Sequence, residues 1–392
     1  MATVAAHGAS GLAPRHSGLL TIIFITVIAG LGWALLVVES WQVLAAILAA
    51  AIICFLAVQR YPNLEQTVTN ALQASPRIAF VYGSFLALLF PLVAGNNSYV
   101  IHLAVIAQLY AVLALALNFQ LGSANIPNFS TGASYGIGAY TSAMAALYWG
   151  VDFWLALPLA AITATIFGFI IGLPAMRTRE SYLALVTIAF AVVVHQLLNN
   201  LSWTGGPNGL VGIPAPTLFG HSFASRIELW GLSLPSQANF YYLSLLLVGL
   251  SIVCAKRLHM SRVGLAWNAL RADELAARCQ GINVSWYKVL AFAVDAFLAA
   301  FAGTIYAFYV SYISPDNFTF LVSVTIMTMV ILGGMDNIFG VIVGAFLLTV
   351  LPEKFRVFAD YRLLIFGTIV ILMLIVRPSG LFPKRLRQYP GG

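Results

Sequence analysis

Charge is the scarcest commodity in this sequence. Of 392 residues only 8% are Asp, Glu, Lys or Arg, against 61% hydrophobic. A soluble domain carries about 25% charged residues, so this chain lacks the polar surface that water requires. The mean hydropathy of +0.93 agrees, and one membrane domain accounts for the recurring apolar runs better than the two or three soluble domains that length suggests. Cysteine is equally sparse. Cys54, Cys254 and Cys279 are odd in number and far apart, which excludes a disulfide framework or a cysteine metal site; all three are expected to be inert. There is no H-E-x-x-H and no G-x-x-x-x-G-K-[ST], so no metal, cofactor or catalytic residue is expected. Any ATP hydrolysis tied to this chain belongs to a separate protein.

The few charges are informative by their placement. A net charge of +7 could point to nucleic acid, but the Lys and Arg residues lie in short gaps between apolar runs, the pattern of the positive-inside rule. A spanning helix needs about 20 apolar residues. Candidates are 17–38, 41–58, 78–94, 98–121, 132–149, 153–175, 181–199, 240–259, 287–310 and 361–377. Arg15 precedes the first, which is long for a signal peptide and is read as a retained helix. Basic gaps carry Arg60 and Arg77, then Arg177 and Arg179, then Lys256, Arg257, Arg262, Arg271, Arg278 and Lys288, then Arg377, Lys384, Arg385 and Arg387. Between them lie base-poor turns near Asn96, Asp152 and Asp316, and a 200–239 loop holding only Arg226. The alternation assigns the basic set to the cytosol.

The apolar stretch 320–351 is interrupted at Gly333-Gly334-Met335-Asp336-Asn337. It is either one broken span or two short ones. Two give an even count, both termini cytoplasmic and a cytoplasmic break, at the cost of Lys354, Arg356 and Arg362 outside. The expected fold is all-α, a polytopic helical bundle of about 10–12 spans. Residues 1–77 read as an extension of two helices and a linker, 78–383 as the core, and 384–392 as a basic tail.

Three segments stand out. Ser261–Ile282 reads as two short helices with Ala266, Ala269, Leu270, Leu275, Ala276 and Ala277 as the less polar positions, ended by Gly281 at C′; alternatively it is an amphipathic connection on the membrane surface. Asn118–Tyr140 is too polar for lipid, and irregular backbone at that depth survives only inside protein or beside a wet cavity. Its Gly132, Gly136 and Gly138 permit close helix contact, so Asn118, Ser130 and these glycines are candidate pathway or packing residues; a plain packing turn is the alternative. Thr204-Gly205-Gly206-Pro207-Asn208-Gly209-Leu210 opens the large loop, which is otherwise a simple turn-rich stretch. Asp295 joins the pathway candidates because an acid within a span is expensive, although neighbouring polar groups could simply satisfy it. His102 and His195 read as neutral packing residues.

Together these segments resemble the permease subunits of bacterial ABC importers of the branched-chain amino acid type, the LivM/LivH family. The likeness runs over residues 98–383. It rests on Glu274-Leu275-Ala276-Ala277 before Gly281, on Gly138-Ala139-Tyr140, on Thr204–Leu210, and on Gly333–Asn337 with Arg377-Pro378-x-Gly380-Leu381-Phe382. In the wider superfamily the glutamate directly precedes the two alanines; here it stands one place early. Asn125-Ile126-Pro127-Asn128-Phe129-Ser130 also replaces the commoner residues.

The resemblance implies a cytoplasmic coupling-helix loop seated on an ATPase subunit, with Arg271, Glu274, Ala276, Ala277, Arg278 and Gly281 at that contact. It also implies a periplasmic solute-binding protein docking near Gly205, Gly206 and Gly209. A second homologous permease, two cytoplasmic ATPases and the inner membrane complete the expected assembly. Urea or a short amide is an alternative solute. An ion-coupled secondary transporter or channel is the rival class, disfavoured because no span supplies a basic partner for Asp295 and no inverted repeat is evident.

Overall fold

The structure, a computed structural model of the chain, describes residues 14–38, 42–43, 76–95, 97–176, 180–218, 220–229, 232–354, 367–368, 371, 375 and 380–382. Most of the expected spans 41–58 and 361–377 therefore lie outside the described residues, as do the 59–75 linker, Cys54, Arg177, Arg179 and the 384–392 tail. The protein is all-α and polytopic, and it divides into two compact units, Met1–Gly95 and Asn96–Gly392. In the first, α1 (Pro14–Val37) packs against α2 (Pro76–Ala94), with Thr26 Oγ1 and Tyr82 OH sharing a 2.9 Å hydrogen bond.

In the second unit α3 (Ser98–Asn118) runs without a break into a π-helical turn, Phe119–Ser123. An irregular stretch leads to α4 (Thr131–Trp149), then α5 (Phe153–Ala175) and α6 (Glu180–Asn200). Past the large loop come α7 (Gln237–His259), two short helices α8 (Arg262–Ala272) and α9 (Glu274–Cys279), the long α10 (Val284–Val310), α11 (Phe320–Gly333) and α12 (Ile338–Lys354). Among the described residues six helical stretches are long and apolar enough to cross a membrane. At 1.5 Å per residue α10 is about 40 Å long.

α10 forms the centre of this unit, flanked by α4 and α5. Lipid tails are as apolar as leucine, so helices in a bilayer associate through close packing of small residues rather than through burial. The α4–α10 seam follows that rule. A Cβ added at Gly138 would lie 2.4 Å from Ala300 Cα, and one at Gly303 would lie 2.2 Å from the Tyr135 carbonyl oxygen. Neither position has room for a side chain.

Residues 320–351 form two helices, not one broken one. Gly344 of α12 meets Met329 and Gly333 of α11, and Gly340 meets Gly333, so the chain turns back on itself at 334–337. Asn337 Oδ1 accepts the Phe339 and Gly340 amides and caps α12. The Leu381 amide donates to Leu332 O at 2.8 Å, and Asn337 Nδ2 donates to Phe382 O at 2.9 Å, so the Gly380-Leu381-Phe382 motif returns to the break.

The two ends of the unit differ in kind. At one end Leu210–Val211 pairs antiparallel with Tyr312–Ile313, and two small hairpins fill the 200–239 loop. Trp154 Nε1 ties to Thr217 O and Tyr148 OH to Trp203 O. At the other end the π turn, the end of α7, α8 and the 334–337 break come together. The break thus shares an end with the basic 256–288 segment, opposite the large loop.

Candidate functional site

Asp295 lies roughly 16 Å along α10 at 1.5 Å per residue, near mid-depth, and is only 1% exposed. Its Oδ2 accepts from Asn128 Nδ2 at 2.9 Å and from Thr131 Oγ1 at 3.0 Å. Asn128 is placed by the irregular stretch between the π turn and α4, where Asn125 takes a left-handed φ of 57°. The Asn128 amide orientation is fixed by its neighbours. Its Oδ1 accepts the Ser130 amide at 2.8 Å and the Ser130 hydroxyl at 2.6 Å, and a backbone N–H can only donate. Nδ2 must therefore face Asp295 and Gln120, whose Oε1 it reaches at 2.6 Å.

This mid-depth cluster gathers Gln120, Asn128, Ser130, Thr131 and Asp295 at the N-terminus of α4, where the helix dipole favours a carboxylate. Among the described residues no basic side chain reaches it, and Asp295 Oδ1 and Gln120 Nε2 have no hydrogen-bond partner. Such buried groups typically cost about 1–3 kcal/mol each. Gly132 N–H donates to Ser323 Oγ at 2.9 Å, fastening the start of α4 to α11, and Gly136 lies against Phe318.

A Gly-x-Ser-x-Gly string, which sequence reasoning passed over, spans Gly132-Ala133-Ser134-Tyr135-Gly136. A nucleophile elbow needs a strand-to-helix turn that exposes its serine. Here Ser134 is buried inside α4. The match is one of letters alone.

A second cluster sits at the basic end around Asp336, which is 3% exposed and holds a left-handed φ of 66°. Asp and Asn tolerate that region better than most residues. Its amide donates to Asn118 Oδ1 at 2.8 Å, and its Oδ1 accepts from Ser123 Oγ at 2.9 Å. His259 Nε2 lies 3.5 Å and Arg271 Nη1 3.9 Å from its carboxylate. The same Arg271 nitrogen donates to Gly122 O at 2.7 Å. Asn118 therefore serves this cluster and not the mid-depth one.

α8 and α9 are well-formed helices. Ser261 Oγ accepts the Gly264 amide, and Asp273 Oδ1 accepts those of Leu275 and Ala276, each cap typically contributing about 1 kcal/mol. Trp267 is fully buried and its Nε1 donates to Tyr287 O, seating α8 on α10. Gly281 has φ 80° and stands at C′ of α9; its amide bonds Arg278 O while that of Ile282 bonds Ala277 O, the double bond of a Schellman cap. Ala277 is buried against Leu270 and Val284, whereas Ala276 is exposed and Leu275 is 72% exposed. Glu274 bridges Lys288 at 2.8 Å and Arg278 at 2.7 Å. Burial alone would raise its carboxyl, but Lys288 and Arg278 together outweigh that and hold it below its ordinary value.

At the loop end Gly205, Gly206 and Gly209 all take positive φ. Thr204 Oγ1 donates to Leu198 O and Leu201 O, holding this tight turn against the end of α6. His195 Nε2 lies 3.6 Å from Asp316 Oδ1, and His102 Nδ1 shares a 2.6 Å hydrogen bond with Tyr309 OH. Gln120, Ser123, Thr131 and His259 were not singled out from sequence, and Asp336 entered only as part of the Gly333–Asn337 break. The signal available for Asp336 was an acid two places after a Gly-Gly pair at a helix break.

The chain matches, over residues 99–376, the family described as branched-chain amino acid transport system / permease component. It belongs to that family. It is similar to the Escherichia coli (strain K12) high-affinity branched-chain amino acid transport system permease protein LivM, at 40% identity over 318 residues, 77% of this chain and 74% of the relative. The LivM protein of Salmonella typhimurium is 39% identical over the same shares. The E. coli permease protein LivH is 26% identical over 287 residues, 70% of this chain and 91% of its own. No solved structure matches the chain.

Proposed function

We propose that this permease is the membrane subunit of an ATP-driven importer that carries branched-chain or other amino acids across a bacterial inner membrane. The observation that carries this reading is the α8–α9 unit: two capped helices standing on the bundle end, with Leu275 and Ala276 turned outward. A short helix with a small, apolar outward face suits a groove on a partner, and this chain has no P-loop of its own. The positive-inside rule favours a cytosolic position for that end, where two ATPase subunits would grip Glu274–Gly281, with Arg278 at the rim.

On this reading the opposite end is periplasmic, and the turn at Gly205, Gly206 and Gly209 receives a solute-binding protein. The pathway forms with a second, homologous permease, as the separate LivM and LivH names of the relatives suggest. On this reading residues 78–383 make up the working core, and residues 1–77 are an accessory extension. Selection of the solute rests mainly with the binding protein, while the cluster around Asp295, with Gly132, Gly136 and Gly138 beside it, contributes to the pathway wall.

The test is uptake by the reconstituted complex. Transport should require both ATPases and ATP, and disrupting α9 through Gly281→Val or Glu274→Lys should release the ATPases while leaving membrane insertion intact. Uptake that continues without the ATPases would overturn the proposal in favour of an ion-coupled carrier.

A further inference from the structure

The two buried clusters are not independent, because the π turn joins them. Its carbonyl at Gly122 receives the Arg271 guanidinium at 2.7 Å, a cation on the buried C-terminal end of a long helix, where the helix dipole favours positive charge. The hydroxyl of Ser123, the next residue, is bound by Asp336 at 2.9 Å. Asn118, just before the turn, holds the Asp336 amide. From the same turn the Gln120 side chain points the other way and meets Asn128 at 2.6 Å, which meets Asp295 at 2.9 Å. One helical turn is thus gripped from the basic end and grips the mid-depth acid.

A π turn is an α-helix with one residue too many, rare and frequently found at functional sites. Reverting it to α would rotate the residues within the turn and withdraw Gln120 from Asn128. Arg271 lies at the end of α8, immediately before α9, so a pull on α9 is passed along the backbone to this guanidinium. Its side chain is turned inward at 24% exposure, unlike Arg278 at 54%.

We propose that Arg271 is a positioning residue for transport: acting through Gly122, it sets the state of the Phe119–Ser123 turn and thereby the Gln120–Asn128–Asp295 cluster. This rests on the reading of α8–α9 as the ATPase contact. Motion delivered there is converted into a change of this turn between π and α, and that change determines whether Asp295 is held by Asn128 or released. Arg271 makes no contact with solute.

The experiment uses the complete complex, both permeases with ATPases and binding protein, in proteoliposomes, comparing wild type with Arg271→Ala and Arg271→Lys. The readouts are solute moved per ATP hydrolysed, and hydrogen exchange of the 118–130 amides with and without a non-hydrolysable ATP analogue. For Arg271→Ala we expect solute per ATP down about tenfold, in the range of ordinary coupling energies, and loss of the nucleotide-dependent exchange change. Arg271→Lys, which keeps the charge but not the planar fork, should fall between. An unchanged ratio with an intact exchange response overturns the inference, as does loss of ATPase association, which would make Arg271 a docking residue. Should Arg271→Ala fail to assemble at all, Ser123→Ala reads the same turn from its other anchor, and an unaltered ratio there likewise counts against the proposal. A wild-type complex that transports without its ATPases would instead refute the importer reading itself.

Discussion

Asp295 and Asp336 are both almost fully buried, yet they are held in opposite ways. Asp295, at mid-depth, relies on neutral donors, Asn128 and Thr131, and on the start of α4. Asp336, at the basic end, has His259 and Arg271 beside it and uses its own backbone amide as well as its carboxylate. The difference follows from depth. A cation beside Asp295 would itself have to be carried into the membrane, where each ionisable group is costly, whereas at the bundle end the Arg271 guanidinium reaches in from the short helix α8 and stays partly exposed. Neutral donors leave an acid free to change partners; a cation fixes it. The deep site is suited to change and the end site to anchoring.

The largest test of this contrast is Gly138→Leu. The side chain would collide with the Ala300 backbone, force α4 from α10 and take Thr131 away from Asp295. Overpacking of this kind costs about 3 kcal/mol where the backbone cannot yield, so folded protein in detergent should melt far lower or fail to accumulate, although the Asp336 cluster is untouched. Asp336→Ala comes next. It removes the acceptor shared by Ser123, His259 and Arg271, an expected loss of about 2 kcal/mol, seen as a lower thermal midpoint.

The sharpest comparison is between the two amides. Asp295→Asn keeps an oxygen for Asn128 and Thr131 and should cost under about 1 kcal/mol, while lowering uptake. Asp336→Asn keeps the left-handed backbone but loses charge beside Arg271, and should cost more. If Asp295→Asn proves the more destabilising of the pair in thermal unfolding, the assignment of mobile and anchoring roles is wrong.

The smallest effect belongs to Glu274. Its carboxyl is held below the ordinary 4.5, so the stability it contributes is present above that pH and is lost as pH falls through the lower folded value. Being partly exposed, the bridge is worth under about 1 kcal/mol. The stability gap between wild type and Glu274→Gln should therefore be small near neutrality and vanish in acid; a gap that widens as pH falls would contradict the bridge.

Much of this could be read from the residues. The apolar runs place α3, α5, α6, α7 and α10 because a bilayer fixes their length. Gly281 could be placed at C′ of α9 because a helix ending is a local event, set by a few neighbouring dihedrals. The alternation of basic and base-poor gaps separated the two ends, and the glycines of 132–138 marked a close contact without naming its partner.

What sequence left open is which residues meet. Whether 320–351 is one helix or two turned on the antiparallel fit of Gly340 and Gly344 against α11. The partner of Ser123 lies 213 residues away in Asp336, the acceptor of Arg271 149 residues away in Gly122, and Asn128 reaches Asp295 across 167. Hydropathy and charge act along the chain through the solvent each segment must face, so they are legible one segment at a time. Hydrogen bonds between buried side chains depend on how helices settle against one another, and for this permease the tertiary structure alone decided that.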